Sequence, residues 1–253
     1  MSPPDESSSD DVRDTGPEGS GVVSWLRWFR HTDNGTVVFV REMLESAAVV
    51  AAIGLVLFAI SGVWPPMVAV ESGSMEPQME RGDLIFIMDE SRFVPDAAQE
   101  GTGIVTYQQG QQSGYNSFNQ AGDVIIYRPD GSAYRTPIIH RARFWVDEGE
   151  NWYDKGNPQY MGGADSCQEL PNCPAPYAGF ITKGDANDAY DQVSAISDPV
   201  KPSWIRGTAE VKIPWLGHVR LFFASTGVPV DVQYQSQQPA QVSPNGTQYA
   251  PPA

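Results

Sequence analysis

The sequence predicts a mainly β domain over residues 71–231, fixed to a membrane by one N-terminal helix. Three observations predict it. Residues 47–70 carry no charged side chain. From residue 71 onward the apolar residues come in short β-like runs broken by Gly, Pro and Asp, a strand pattern rather than a helical one. Both ends of the chain, residues 1–20 and 232–253, are polar and low in complexity, and are set apart as tails.

Residues 1–20 are acidic and rich in Pro, Gly and Ser, so disorder is expected there. Residues 21–46 form a lead-in. Trp25, Leu26, Trp28 and Phe29 beside Arg27 and Arg30 suit the cytoplasmic headgroup layer, and residues 36–44 should run into the span as helix. The uncharged run 47–70 would measure about 36 Å as a helix, against roughly 20 residues needed to cross a bilayer core. Pro65-Pro66 should end or kink it, because proline removes a donor and clashes with the preceding turn. Trp64 suits an interfacial anchor. The run begins too far into the chain, behind an acidic leader, for a cleavable signal peptide. Arg27, Arg30 and Arg41 precede it, whereas only Arg81 follows within about 15 residues, so the positive-inside bias sets the N-terminus in the cytoplasm and the β domain outside. The expectation is a single-pass protein of the cytoplasmic membrane, with lipid as a partner.

Within the β domain, Leu84-Ile85-Phe86-Ile87-Met88, Asp123-Val124-Ile125-Ile126-Tyr127, Pro137-Ile138-Ile139-His140-Arg141-Ala142, residues 177–182 and residues 208–213 predict strands. Arg128-Pro129-Asp130-Gly131 and Lys183-Gly184-Asp185 predict turns. No segment of useful length has a helical period. Residues 99–121 (rich in Gly and Gln) and 152–176 (with Pro, Gly, Asn and both cysteines) predict surface inserts. Residues 216–230 are apolar but hold His218 and Arg220. They are short for a second span, and an interfacial segment or a final strand is expected. The tail carries an acceptor sequon, Asn245-Gly246-Thr247. Cys167 and Cys173 bracket Gln-Glu-Leu-Pro-Asn on the exported side, where a small disulfide loop is permitted. With no histidine nearby, they make a poor zinc site.

The chain has 31 acidic and 16 basic residues, a formal charge of -15. Its lysines are Lys155, Lys183, Lys201 and Lys212 alone. Such a surface repels polyanions and argues against nucleic acid as a partner. Scattered acidic charge with few lysines fits proteins of salt-loving archaea, where high ionic strength screens self-repulsion.

The octapeptide Ser72-Gly73-Ser74-Met75-Glu76-Pro77-Gln78-Met79 places a glycine-flanked hydroxyl just beyond the uncharged run. A serine becomes a nucleophile only when a base takes its proton. Of the three histidines, His31 precedes the span and His218 lies in the 216–230 segment. That leaves His140, on a predicted strand that would hold it rigidly, although an ordinary hydrogen-bonded histidine is the competing reading. Carboxylates cluster in Lys183-Gly184-Asp185-Ala186-Asn187-Asp188-Ala189-Tyr190-Asp191. One of them, paired with the imidazole, would fix its tautomer, and spacing leaves Asp185 and Asp191 both open. A solvated turn competes; a calcium loop would need alternating oxygens and a terminal Glu that this stretch lacks. No metal or organic cofactor is called for.

These segments resemble the boxes of type I signal peptidases. Ser72-Gly73-Ser74-Met75-Glu76-Pro77 looks like the nucleophile box, Ile139-His140-Arg141 like the box of the general base, and Lys183-Gly184-Asp185-Ala186-Asn187 with Asp191 like the third box. The order is the family's, and histidine in the second box is similar to the archaeal and endoplasmic-reticulum branch, where most bacterial members have lysine. The resemblance covers residues 67–216. It implies a signal-peptidase-like β domain, a fold shared with self-cleaving repressors. Ser74 would be the nucleophile and His140 the base, with Asp191 ranked ahead of Asp185 as the orienting carboxylate. The Ser72 hydroxyl would join the Ser74 backbone N–H in the oxyanion hole. Lys183 falls on a feature of the third box rather than on the bacterial lysine. The implied activity is a membrane-bound serine endopeptidase that removes N-terminal signal peptides from preproteins emerging from the translocation channel at the outer face of the membrane. Its rivals are an anchored self-cleaving or regulatory serine protease, and a non-catalytic exported β binding domain.

Overall fold

The structure, a computed structural model, describes residues 21–225. The expected tails, residues 1–20 and 232–253 with the Asn245 sequon, lie outside the described residues. The chain divides into two units, Met1–Ala59 and Ile60–Ala253.

In the first unit, α1 (Val22–His31) has Arg30 and His31 in its last turn, where positive charge suits the helix dipole. Trp25 stacks on Phe29 one turn away, with ring centres 5.4 Å apart. The long helix α2 (Gly35–Ser61) has 27 residues, about 40 Å of length. It is the one described helix long and apolar enough to cross a membrane. Its side chains Val50, Leu55 and Val56 are exposed.

The helix stops at Ser61, a few residues ahead of the Pro65-Pro66 pair that was expected to end or kink it. Gly62 adopts a left-handed φ of 77°, a common helix terminator, and Pro65-Pro66 prevents resumption. The last part of the uncharged run is therefore a strand, β1 (Met67–Ala69). Within the second unit, the Ser61 hydroxyl donates to Ile87 O at 2.7 Å and Ser61 O accepts from Asp89 N at 2.9 Å.

After β1 come β2 (Leu84–Met88), α3 (Tyr107–Ser113), β3 (Asn116–Ser117), β4 (Gln120–Ala121), β5 (Val124–Tyr127), β6 (Ile138–Val146), β7 (Gly179–Lys183), β8 (Ile205–Ile213) and α4 (Gly217–Ser225). The main sheet has the order β1-β2-β8-β5-β6-β7, every neighbouring pair antiparallel, and β3–β4 is a separate hairpin. The predicted strands are β2, β5, β6, β7 and β8, and the domain is mainly β, as expected. Central β5 explains why alternation is weak. Val124 and Ile126 enter a core with Ile85, Met75 and Met79, while Ile125 and Tyr127 enter another with Ala142, Phe180 and Val200. Buried on both faces, the strand is apolar at every position.

Three segments depart from expectation. Residues 99–121 are not a surface insert, since Ile104 and Val105 are fully buried. Thr106 Oγ1 accepts from Gln109 N, and Gln109 Oε1 accepts from Thr106 N. This capping box starts α3. Residues 152–176 are not a surface insert either. Trp152, Met161 and Leu170 build a third core with Phe144, Ile181 and Tyr190, and Cys167 and Cys173 are disulfide-bonded. The segment from residue 217 is helix α4 rather than a final strand. A Cβ on Gly217 would lie 2.4 Å from Asp83 O, so only glycine allows that close start. Helices this short show no recognisable period in the sequence.

Asp123, 3% exposed, holds the first of these segments in place. Its carboxylate accepts from Val105 N at 2.7 Å and from the Tyr115 hydroxyl at 2.8 Å. Burial pushes its pKa up to about 6, helped by Glu210 and opposed by these two hydrogen bonds. An unfolded Asp titrates near ~3.9. Between those values the native state binds more protons, so Asp123 makes stability fall as pH rises from about 4 to 6. The expected result is that the unfolding free energy of wild type minus that of Asp123→Asn declines across this interval in denaturant titrations. A difference that stays flat or grows would contradict it.

Candidate active site

His140 enters the site from β6, where it pairs in register with Ile125 of β5. Directly opposed residues share a face of the sheet, and side chains alternate along each strand. His140 therefore lies on the same face as Tyr127 of β5. Thr182, opposite Ala142, comes to this face from β7. The chain then turns through residues 184–190 and returns to β7, where Asp191 N donates to Thr182 O at 2.9 Å. Gln192 Oε1 secures the return by accepting from Thr182 N at 3.0 Å.

Asp191, fully buried, receives three donors on Oδ2: His140 Nδ1 at 2.7 Å, Thr182 Oγ1 at 2.6 Å and Tyr127 Oη at 2.8 Å. Burial opposes its ionisation, but the charge of His140 and the hydrogen bonds from His140, Thr182 and Tyr127 outweigh it and hold the carboxyl below the usual range. Its stabilising contribution is thus present above about pH 3.9 and disappears only as pH falls through the lower native value. Tyr127 is held well above its ordinary pKa, by burial first and by Asp191 second, so it remains a donor. An ionised Asp191 requires the proton on His140 Nδ1, which leaves Nε2 with the free lone pair.

Ser74 lies in the turn between β1 and β2, anchored by Met75 and Met79, both buried in the core. Ser74 O accepts from Ala186 N at 2.9 Å. A Cβ on Gly184 would sit 2.6 Å from that same oxygen, so glycine at 184 is what allows the two segments to meet. Extending the β6–β7 register by one residue from the Arg141–Lys183 pair sets Gly184 opposite His140. The serine segment thus packs on the residue across from the imidazole. Ser74 Oγ is hydrogen-bonded to Ser72 Oγ at 3.1 Å, and no hydrogen bond joins Ser74 to His140 among the described residues.

Asp185 is placed elsewhere. Its carboxylate binds Arg141 in bidentate fashion, Nε to Oδ1 at 2.9 Å and Nη2 to Oδ2 at 2.7 Å, with both side chains buried. Arg141 Nη1 also donates to Ser117 O at 2.9 Å and Gly122 O at 2.7 Å around the β3–β4 hairpin. Lys183 spends its ammonium protons on the carbonyls of Gly184 at 2.8 Å and Asn187 at 2.6 Å, with Asp185 O at 3.4 Å. A lysine so engaged braces the turn and offers no lone pair. His218, the second residue of α4, lies against Gly82.

Sequence reasoning named His140 and both aspartates but missed Tyr127, Thr182 and Arg141 as their partners. Thr182 had the weak signal of preceding the Lys183-Gly184-Asp185 turn. Tyr127 had none, being an ordinary core residue in sequence.

No family model matches the chain. The chain is similar to the signal peptidase complex catalytic subunit SEC11 of Saccharomyces cerevisiae strains YJM789, RM11-1a and JAY291. Each is 27% identical over 163 residues, which cover 63% of this chain and 66% of the relative. The chain thus spans just under two thirds of the length of these relatives.

Removing the Asp185 carboxylate would leave the Arg141 guanidinium buried without its counter-ion. Asp185→Ala is expected to lose about 3–5 kcal/mol of stability, read as a lowered denaturant midpoint with unchanged slope. A loss no larger than that of a surface substitution would contradict the pairing.

Proposed function

We propose that this chain is a membrane-bound serine endopeptidase that removes N-terminal signal peptides from exported preproteins. The observation that carries the reading is the buried His140–Asp191 contact of 2.7 Å, set across the sheet register from the segment that bears Ser74. The similarity to a signal peptidase catalytic subunit supports the same reading independently.

In this proposal Ser74 exchanges its bond with Ser72 for one to His140 Nε2 when substrate binds. His140 takes the proton as Ser74 Oγ attacks the scissile carbonyl, and Asp191 stabilises the imidazolium. The imidazolium protonates the leaving amine. Water, deprotonated by the same histidine, then releases the acyl group. The Ser72 hydroxyl and the Ser74 N–H face the developing oxyanion, each typically worth ~2.7–4 kcal/mol. Asp185 acts as a structural partner of Arg141. The substrate's apolar helix lies in the bilayer, and its extended cleavage segment pairs with edge strand β1, which leads directly into Ser72 and Ser74.

The topology that fits has α2 as the single span, the N-terminus in the cytoplasm and the β unit at the outer face, where preproteins leave the translocation channel. Membrane tethering of both reactants raises their effective concentration. The formal charge of -15 fits a protein of salt-loving archaea, and unfolding midpoints that fail to rise with potassium chloride would count against that setting.

The test is cleavage of a model preprotein by the full chain in detergent micelles. Ser74→Ala and His140→Ala should abolish processing, and Asp191→Asn should lower kcat by ~10⁴-fold with little change in KM. Undiminished processing by the Ser74 and His140 variants would sink the reading.

A further inference from the structure

Across a chain of formal charge -15, one cavity concentrates positive charge among aromatic rings. Its volume is about 340 Å³, and Tyr107, Arg143, Lys155, Tyr160 and Tyr190 are among its walls. The two segments expected to be surface inserts supply opposite sides: Tyr107 belongs to α3, and Lys155 and Tyr160 to the later segment. Gln108 Nε2 donates to Lys155 O at 3.1 Å and joins them.

Arg143 is the chemical centre. Its guanidinium stacks over Tyr107, 3.7 Å from the ring centre, with the Tyr160 ring at 5.9 Å. It has no ion pair among the described residues. Lys155, by contrast, is already paired with Glu150 at 2.9 Å, and Lys183, 4.4 Å from the Tyr160 ring, is committed to turn carbonyls. A stacked guanidinium keeps its in-plane N–H groups available, and that planar fork matches a carboxylate. Arg143 stands three residues beyond His140 on β6, about 10 Å along a strand, and Tyr190 immediately precedes Asp191.

We propose that this cavity is a subsite for an acidic side chain, Asp or Glu, of a peptide bound along the site, with Arg143 as the residue that selects it. The placement of the peptide rests on the peptidase reading; the carboxylate site itself rests on Arg143 and its rings.

The test compares two acetylated peptides of identical sequence except for one Glu or Gln, titrated against the full-length chain in neutral detergent micelles, with Ser74→Ala present to prevent turnover. The Glu peptide is expected to bind about tenfold more tightly, as a charge-assisted bidentate contact would give. Adding Arg143→Gln should bring the ratio close to one. Tyr107→Leu, which removes the ring that orients the guanidinium from outside β6, should also shrink it. Equal affinity for the two peptides without the pocket substitutions would overturn the proposal, as would a preference that survives Arg143→Gln. Failure of the peptidase reading would show separately, as absence of preprotein cleavage by wild type, and the binding ratio decides the subsite in either case.

Discussion

Three neighbouring strands deliver one donor each to a single buried atom, Asp191 Oδ2: Tyr127 from β5, His140 from β6 and Thr182 from β7. An isolated carboxylate in such surroundings would cost several kcal/mol in lost hydration. The charge of His140 and the three hydrogen bonds together offset that cost, so the ionised carboxylate and the strand order stabilise each other. The register is equally constrained. Sliding β6 by one residue would turn His140 away and bring Arg141 to this face, placing a guanidinium where an imidazole is required.

The alternation of β6 assigns adjacent residues to separate tasks. His140 faces Asp191, while Arg141 turns to the opposite face and binds Asp185 and the carbonyls around the β3–β4 hairpin. Lys183 gathers the carbonyls of the same turn. Together they fix a loop that has its own role, since Ala186 N holds Ser74 O and Gly184 leaves room for it. The buried charges around the turn therefore position the serine segment, while the charge of Asp191 serves the imidazole. This separation explains how two aspartates six positions apart in one loop come to have different partners.

The strands and the principal side chains of the candidate site were legible in the sequence because their signals are local. β2, β5 and β6 are apolar runs bounded by turn residues, and His140 emerged from counting the few histidines available. Asp191 and Asp185 were not separable by spacing. The choice depends on the path after β7, where Asp191 returns to pair with Thr182 through contacts that leave no mark on the sequence. Tyr127 was hidden for a related reason: a tyrosine ending a buried strand looks like any core aromatic until its hydroxyl finds a partner. The segments at 99–121 and 152–176 were misjudged because polar composition dominates them. A few residues, among them Ile104, Val105, Trp152 and Met161, do the packing and are too sparse to form a period.

Those two segments cover the outer part of β6. A minimal sheet carrying His140 and Asp191 would leave the outer part of β6 open to water. Here α3 closes it from one side and the segment around Tyr160 from the other, with Arg143 between their rings. The third core fixes the second wall through Tyr190, which packs edge-on against Phe144, Trp152 and Tyr160. Tyr190 is bonded in sequence to Asp191, so a displaced wall would strain the carboxylate's neighbour and a displaced carboxylate would disturb the wall. The polar composition that made these segments look dispensable also supplies what a charged subsite needs: glutamine to join the walls and tyrosine to hold by its face a guanidinium that has no ion pair among the described residues.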